Sequence, residues 1–218
     1  DREPREESQL VDFFFNLLEF FDGRATNREV IDLLDSLPMR MKFEWADEDV
    51  DSFRKWIRES HAYWGFDARH RESLGSSFTQ EHTWKHALDR MVLGFCMRSR
   101  GQKTWGGVLP YDEIEGENAH LFSELFQVLQ QLHHYQERSR SALTLTQWKE
   151  YLLSLSRTFF PVVDENLLDR RRIEQAIDHI ESVYSRRAPT ARVPLRVVRY
   201  HLGNVVEAGA PKGQFLTH

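Results

Sequence analysis

The sequence contains one cysteine, Cys96, in 218 residues, so an intramolecular disulfide is excluded. A lone thiol and the lack of a secretory start point to a reducing cytoplasm. Helix breakers are scarce, with 11 glycines and 7 prolines. No run approaches the roughly eighteen consecutive apolar residues of a membrane span. The longest apolar patch, Val11 to Phe21, is interrupted by Asp12, Asn16 and Glu19. Basic excess is missing too: 29 Lys and Arg stand against 34 Asp and Glu, a net charge of −5, which argues against a uniformly basic nucleic-acid binder. The chain starts at Asp1 without Met and reads as a piece of something longer.

What is present is 40% hydrophobic, enough at this length to bury roughly 70% of the surface of the unfolded chain. Charge is unevenly placed. Residues 1–51 carry 6 basic and 15 acidic groups (−9), residues 52–169 carry 14 and 15 (−1), and residues 170–218 carry 9 and 4 (+5). Solvated helix faces account for this pattern; the sharper reading is a basic end that faces phosphate or an acidic partner.

Apolar positions recur at three- and four-residue spacing, which predicts an all-α fold, a multi-helix array of mostly antiparallel helices. A first helix spans about Ser8 to Phe21, nearly apolar all round, and should lie deep or await a partner surface. Thr26 and Glu29 have capping-box spacing and open a helix to about Ser36, closed by Pro38. Asp47 is placed as the cap of a helix to about Ser60, and Trp84, Leu88, Met91, Val92 and Phe95 form a stripe on a helix from Thr79 to about Met97. Asn118 caps a helix to about Arg140, and Thr144 and Gln147 form a second capping box. Asp164 to Ser185 repeats the pattern, and Pro194 suits the first turn of a last helix. The parts are residues 1–98, a glycine-rich connecting loop 99–117, and residues 118–218; a loop of that length is uncommon unless functional.

Chemistry is sparse. Arg100 to Thr104 fails as a phosphate loop, because Gln102 separates Gly101 from Lys103 and no strand precedes it. His82 and His86 stand four apart, a spacing that can share zinc on a helix, but Thr83 replaces the general-base Glu and no third ligand is evident, so a structural role is preferred over a metal hydrolase. Adjacent His133 and His134 do not face each other. Asp112, Glu113, Glu115 and Glu117 suit a solvated acidic loop or a contact for arginine more than a magnesium site. Cys96 reads as a buried, inert thiol beside Phe95. Basic candidates are Arg170, Arg171 and Arg172, then Arg186 and Arg187, then Arg192, Arg196 and Arg199 along one face of the last helix, a geometry that can track phosphates. No catalytic or metal site emerges. A free-standing helical DNA-binding or adaptor protein is the alternative reading.

Three stretches together resemble a known family: Trp56–Ser60 running on to Trp64–Asp67; His82–Lys85 with Leu88–Gly94; and Gly107–Gly116. They are similar to the middle of the gamma subunit of exodeoxyribonuclease V, the RecC chain of the RecBCD helicase–nuclease. Thr26 to Leu34 and the terminal Gln214–His218 are similar as well. The resemblance implies a non-catalytic helical module, corresponding to the 2B-type insertion of a superfamily-1 helicase-like fold. It implies work inside an ATP-dependent complex that processes DNA ends for double-strand-break repair and recombination, under control of the Chi sequence. The implied partners are RecB- and RecD-type subunits, with DNA in the context of the complex. The implied setting is the bacterial cytoplasm, with no membrane role and with ATP and magnesium used by the partner subunits rather than here. For the Gly107–Gly116 loop, an inter-subunit or inter-domain contact through Trp105, Tyr111, Asp112, Glu113 and Glu115 is expected.

Overall fold

The computed structural model describes residues 8–97, 104–185 and 188–208, and the fold there is all-α. Ten α-helices appear among the described residues: α1 (Gln9–Asp22), α2 (Asn27–Leu34), α3 (Leu37–Phe43), α4 (Asp47–Glu59), α5 (Ala68–Ser73), α6 (Trp84–Cys96), α7 (Ala119–Ser139), α8 (Leu145–Phe159), α9 (Leu167–Tyr184) and α10 (Leu195–Ala208). Extended pairing there is limited to two isolated bridges, Trp105 with Val108 and Leu143 with Val193. Among the described residues no helix is long and apolar enough to cross a membrane.

Local chemistry fixes most helix starts. The Thr26 hydroxyl accepts the Glu29 N–H at 3.2 Å, and the Glu29 carboxylate accepts the Thr26 N–H at 2.6 Å. Thr144 and Gln147 repeat the exchange at the start of α8, at 3.3 and 3.0 Å. Each box satisfies two backbone donors that the first turn leaves orphaned.

Several expected boundaries move. Pro38 does not close α2 but occupies the first turn of α3, where its missing N–H costs nothing. Asp47 is the first helical residue of α4 rather than its cap; the cap is Ala46, whose N–H donates to the Asp49 carboxylate at 2.8 Å. α6 starts at Trp84 instead of Thr79, because His82 takes a left-handed φ of 61° and Thr83 caps the helix by accepting the His86 N–H at 3.2 Å. A 3-10 turn, Gly116–Asn118, stands where Asn118 was placed as a cap, and another, Asp164–Asn166, precedes α9. The six-residue α5 is too short to leave a periodic signal.

The chain divides into two compact units, one of residues 23–138 and one of residues 1–22 with 139–218. These do not follow chain order in the way of a 1–98, 99–117, 118–218 partition, because α1 packs with α9 and α10, far along the sequence. α1 therefore carries no open apolar face: Phe13, Phe14, Leu17, Leu18, Phe20 and Phe21 are buried, and Phe14 meets Phe160 edge-on at 5.9 Å. Asp12, Asn16 and Glu19 form its exposed edge. Trp148 lies in the same core and donates its indole N–H to the Val193 carbonyl at 2.8 Å. In the other unit Val50, Phe53, Trp56 and Ile57 form the inner face of α4, and Trp56 meets Phe122 of α7 edge-on at 6.3 Å. Side chains of this size contribute about 1.5–3 kcal/mol each when buried.

Candidate interface site

The three familiar stretches, far apart in sequence, pack into one knot inside the unit of residues 23–138. Its base is the link between the first two. The Trp84 and Lys85 N–H groups donate to the carbonyls of Gly65 and Phe66 at 3.0 and 2.8 Å, and the Trp84 indole donates to the Ala25 carbonyl at 2.7 Å. Between them lies Arg71, 6% exposed and without a carboxylate partner among its hydrogen bonds. Its guanidinium donates to the carbonyls of Trp64 at 2.9 Å and Glu81 at 2.7 Å and to the Thr79 hydroxyl at 3.1 Å, and lies over the Trp64 ring at 4.7 Å. Burial holds its pKa below the ordinary arginine value. Nothing in the spacing of the sequence pointed to this residue.

The third stretch straps over α4 and α6. Trp105 and Val108 exchange backbone hydrogen bonds at 2.9 Å across Gly106 and Gly107, whose φ values of 57° and 83° suit a tight two-residue hairpin turn. The Tyr111 N–H then donates to the Arg90 carbonyl at 2.9 Å, and the Arg90 guanidinium donates to the carbonyls of Leu109 at 2.9 Å and Ser60 at 2.7 Å. The Tyr111 hydroxyl donates to the Glu59 carboxylate at 2.6 Å. Burial, and then this bond, raise the phenol pKa above its usual value. Gly94 of α6 allows the approach, since a Cβ there would lie 1.8 Å from the Tyr111 carbonyl oxygen.

The strap thus has two sides. Tyr111 and Ile114 are buried, at 6% and 5% exposure, so Tyr111 holds the fold instead of offering an outward contact. Trp105, Asp112, Glu113 and Glu115 are exposed. Beside the strap runs a groove of about 630 Å³ whose lining includes Leu88, Val92, Val108 and Phe126.

Two of the remaining candidates, His82 and Cys96, are placed differently from expectation. His82 lies outside α6, and its N–H donates to His86 Nδ1 at 3.3 Å, so one of the nitrogens needed to share a metal is already in use. Cys96 is exposed at the end of α6, not buried. His134 is exposed, while His133 turns inward and stacks on Phe66 at 5.0 Å.

In the other unit the basic residues do not form one stripe. Arg192 precedes α10 and is exposed, as are Arg171 and Arg196, whereas Arg199 is half-buried. Arg170 pairs with Glu174 at 3.3 Å, and Arg172 donates to the Val206 carbonyl in the last turn of α10. Arg172 thereby caps that helix end rather than facing outward. Arg186 and Arg187, the Arg100–Lys103 part of the rejected phosphate loop, and Gln214–His218 lie outside the described residues.

An all-α fold whose buried Arg71 and Tyr111 hold neighbouring backbone and side chains, with an aromatic and acidic strap face exposed, defines a helical packing class. The chain belongs to the family described as RecBCD enzyme subunit RecC fourth domain, which it matches over residues 7–210. It is 28% identical to RecBCD enzyme subunit RecC of Mycobacterium tuberculosis over 194 residues, which is 89% of this chain and 18% of that protein. It is 32% identical to the Escherichia coli K12 subunit over 160 residues, 73% of this chain and 14% of that protein. The Haemophilus influenzae subunit is 27% identical over 210 residues, 93% of this chain and 18% of its own length. The chain therefore spans less than a fifth of the length of these relatives.

Proposed function

We propose that these 218 residues act as a non-catalytic helical block of a RecC-type subunit, within a RecBCD-type complex that processes DNA ends for double-strand-break repair and recombination. The observation that carries this reading is the knot: Arg71, Arg90 and Tyr111, the polar side chains at its centre, are all engaged in holding backbone or a neighbouring carboxylate. Such an arrangement makes a rigid body, not a reacting centre. The exposed Trp105, Asp112, Glu113 and Glu115 give that body an outward face on which a RecB- or RecD-type subunit docks. ATP and magnesium are used by those partners, DNA is met in the assembled complex, and the setting is the bacterial cytoplasm. A 2B-type place in a helicase-like fold goes with this reading, supported by the all-α architecture.

The test is assembly. Trp105→Ala with Glu113→Lys and Glu115→Lys, placed in the intact subunit, should leave its circular dichroism unchanged and lower co-purification with the partner subunits at least tenfold. Unchanged assembly and unchanged DNA-end processing would remove the strap face from the reading. ATP or DNA hydrolysis by the isolated chain, lost on substitution of Asp112 or Glu113, would overturn the non-catalytic part.

A further inference from the structure

His133 sits on the inner side of α7 with its ring stacked on Phe66, 11° from parallel. Its Nε2 is buried and has no hydrogen-bond partner, yet two carboxylates face it. The Asp67 Oδ2 and Glu137 Oε1 atoms each stand 3.9 Å away. All three ligand atoms lie within 4.8 Å of one another, and among the described residues this is the group of three metal-ligating side chains so placed. The approach is too long for a hydrogen bond, which needs about 2.7–3.2 Å. It is close to the edge of a tetrahedron around a metal: bonds of about 2.0–2.2 Å place neighbouring ligands roughly 3.3–3.6 Å apart. Side-chain rotation of roughly half an ångström closes the two edges from His133, and a movement of at most about 1.2 Å closes the edge between the carboxylates.

The donors are also held in place. Asp67 caps α5 through its other oxygen, Oδ1, which accepts the His70 N–H at 2.7 Å and leaves Oδ2 directed at His133. The flanking Phe66 and Ala68 N–H groups donate to His70 Nδ1 and Gln80 Oε1 at 3.1 and 3.2 Å, which fixes the backbone on both sides of the ligand. Glu137 follows His133 by one helical turn on the same face. Asp67 and His133 are 18% and 24% exposed in their side chains, so the site is shielded but reachable. Supporting contacts of this kind orient a ligand before the ion arrives.

We propose that Asp67, His133 and Glu137 bind one divalent transition-metal ion of the zinc class. One imidazole with two carboxylates suits zinc, manganese or cobalt better than magnesium or calcium, which favour all-oxygen shells. The ion bridges the loop before α5 and the second half of α7 and clamps the unit of residues 23–138; a fourth position stays open to water.

The experiment is metal titration of the intact chain that carries residues 1–218, with Zn²⁺ alone followed by dialysis and with Co²⁺ as a spectroscopic probe. One equivalent of zinc should be retained in the presence of excess Mg²⁺, Co²⁺ should develop visible d–d bands, and zinc should raise the melting temperature in a manner reversed by chelator. Glu137→Gln, at a largely exposed position, should weaken zinc at least tenfold, and His133→Gln should abolish the cobalt bands, while His134→Ala leaves both unchanged. Circular dichroism of each apo variant confirms folding. Absence of stoichiometric zinc in the wild-type chain would overturn the proposal. So would zinc that survives His133→Gln and is lost in the His82→Gln, His86→Gln double variant.

Discussion

Single residues carry the knot. Gly94 is the sharpest case, since any side chain there enters the Tyr111 carbonyl. Gly94→Ala should cost about 3 kcal/mol in urea denaturation and open the strap to proteolysis near residues 104–115. Arg71→Lys keeps the charge but cannot reach Trp64, Thr79 and Glu81 together, so a loss of about 2 kcal/mol is expected in the same assay. His86 gives a pH signature. Its pKa is lowered, chiefly by burial and then by the charges of Arg90 and His82, and its Nδ1 must stay unprotonated to accept the His82 N–H. A lowered pKa favours protonation of the unfolded chain. The contribution is therefore present above the ordinary histidine value near 6.5 and is lost as pH falls through the folded-state value. The urea midpoint should fall between pH 7 and pH 5, and His86→Gln should flatten that fall.

At the scale of elements, capping chemistry was the most legible signal. Thr26 with Glu29 and Thr144 with Gln147 marked helix starts that the structure contains, because a cap is a local exchange of hydrogen bonds over four residues. Thr144→Ala should lower stability by about 1 kcal/mol without altering the fold, as seen in the thermal midpoint and in unchanged circular dichroism. The boundaries that sequence misplaced depend on distant contacts. α6 begins late because residues 79–82 are drawn aside, with Thr79 and Glu81 occupied by the Arg71 guanidinium and His82 by the His61 carbonyl at 3.2 Å. Arg192 drops out of the basic stripe because the chain at Val193 pairs with Leu143 before α10 starts. Arg172 turns to a helix end that only folding brings near it.

At the scale of the whole molecule, the net charge of −5 and the exposed positions of Arg171, Arg192 and Arg196 lead to a plain expectation for DNA. The isolated chain should bind it weakly and without sequence preference, with affinity falling as salt rises; fluorescence anisotropy over a salt series checks this. Nanomolar, sequence-dependent binding at physiological salt would favour a free-standing DNA-binding protein instead. The sequence by itself determined the helical class, through apolar spacing and scarce breakers, and the family, through three stretches whose residue order is unusual enough to identify. It also carried two of the three residues of the candidate metal site, since His133 and Glu137 share a helix face. Tertiary structure alone decided the rest. It brought Asp67 to that face, buried Tyr111 while leaving Trp105 outside, joined the three stretches into one knot, and covered the apolar first helix with α9 and α10. The physical reason is range: helix periodicity and caps are set within a few residues, whereas which polar groups meet is set by burial between segments that the sequence keeps far apart.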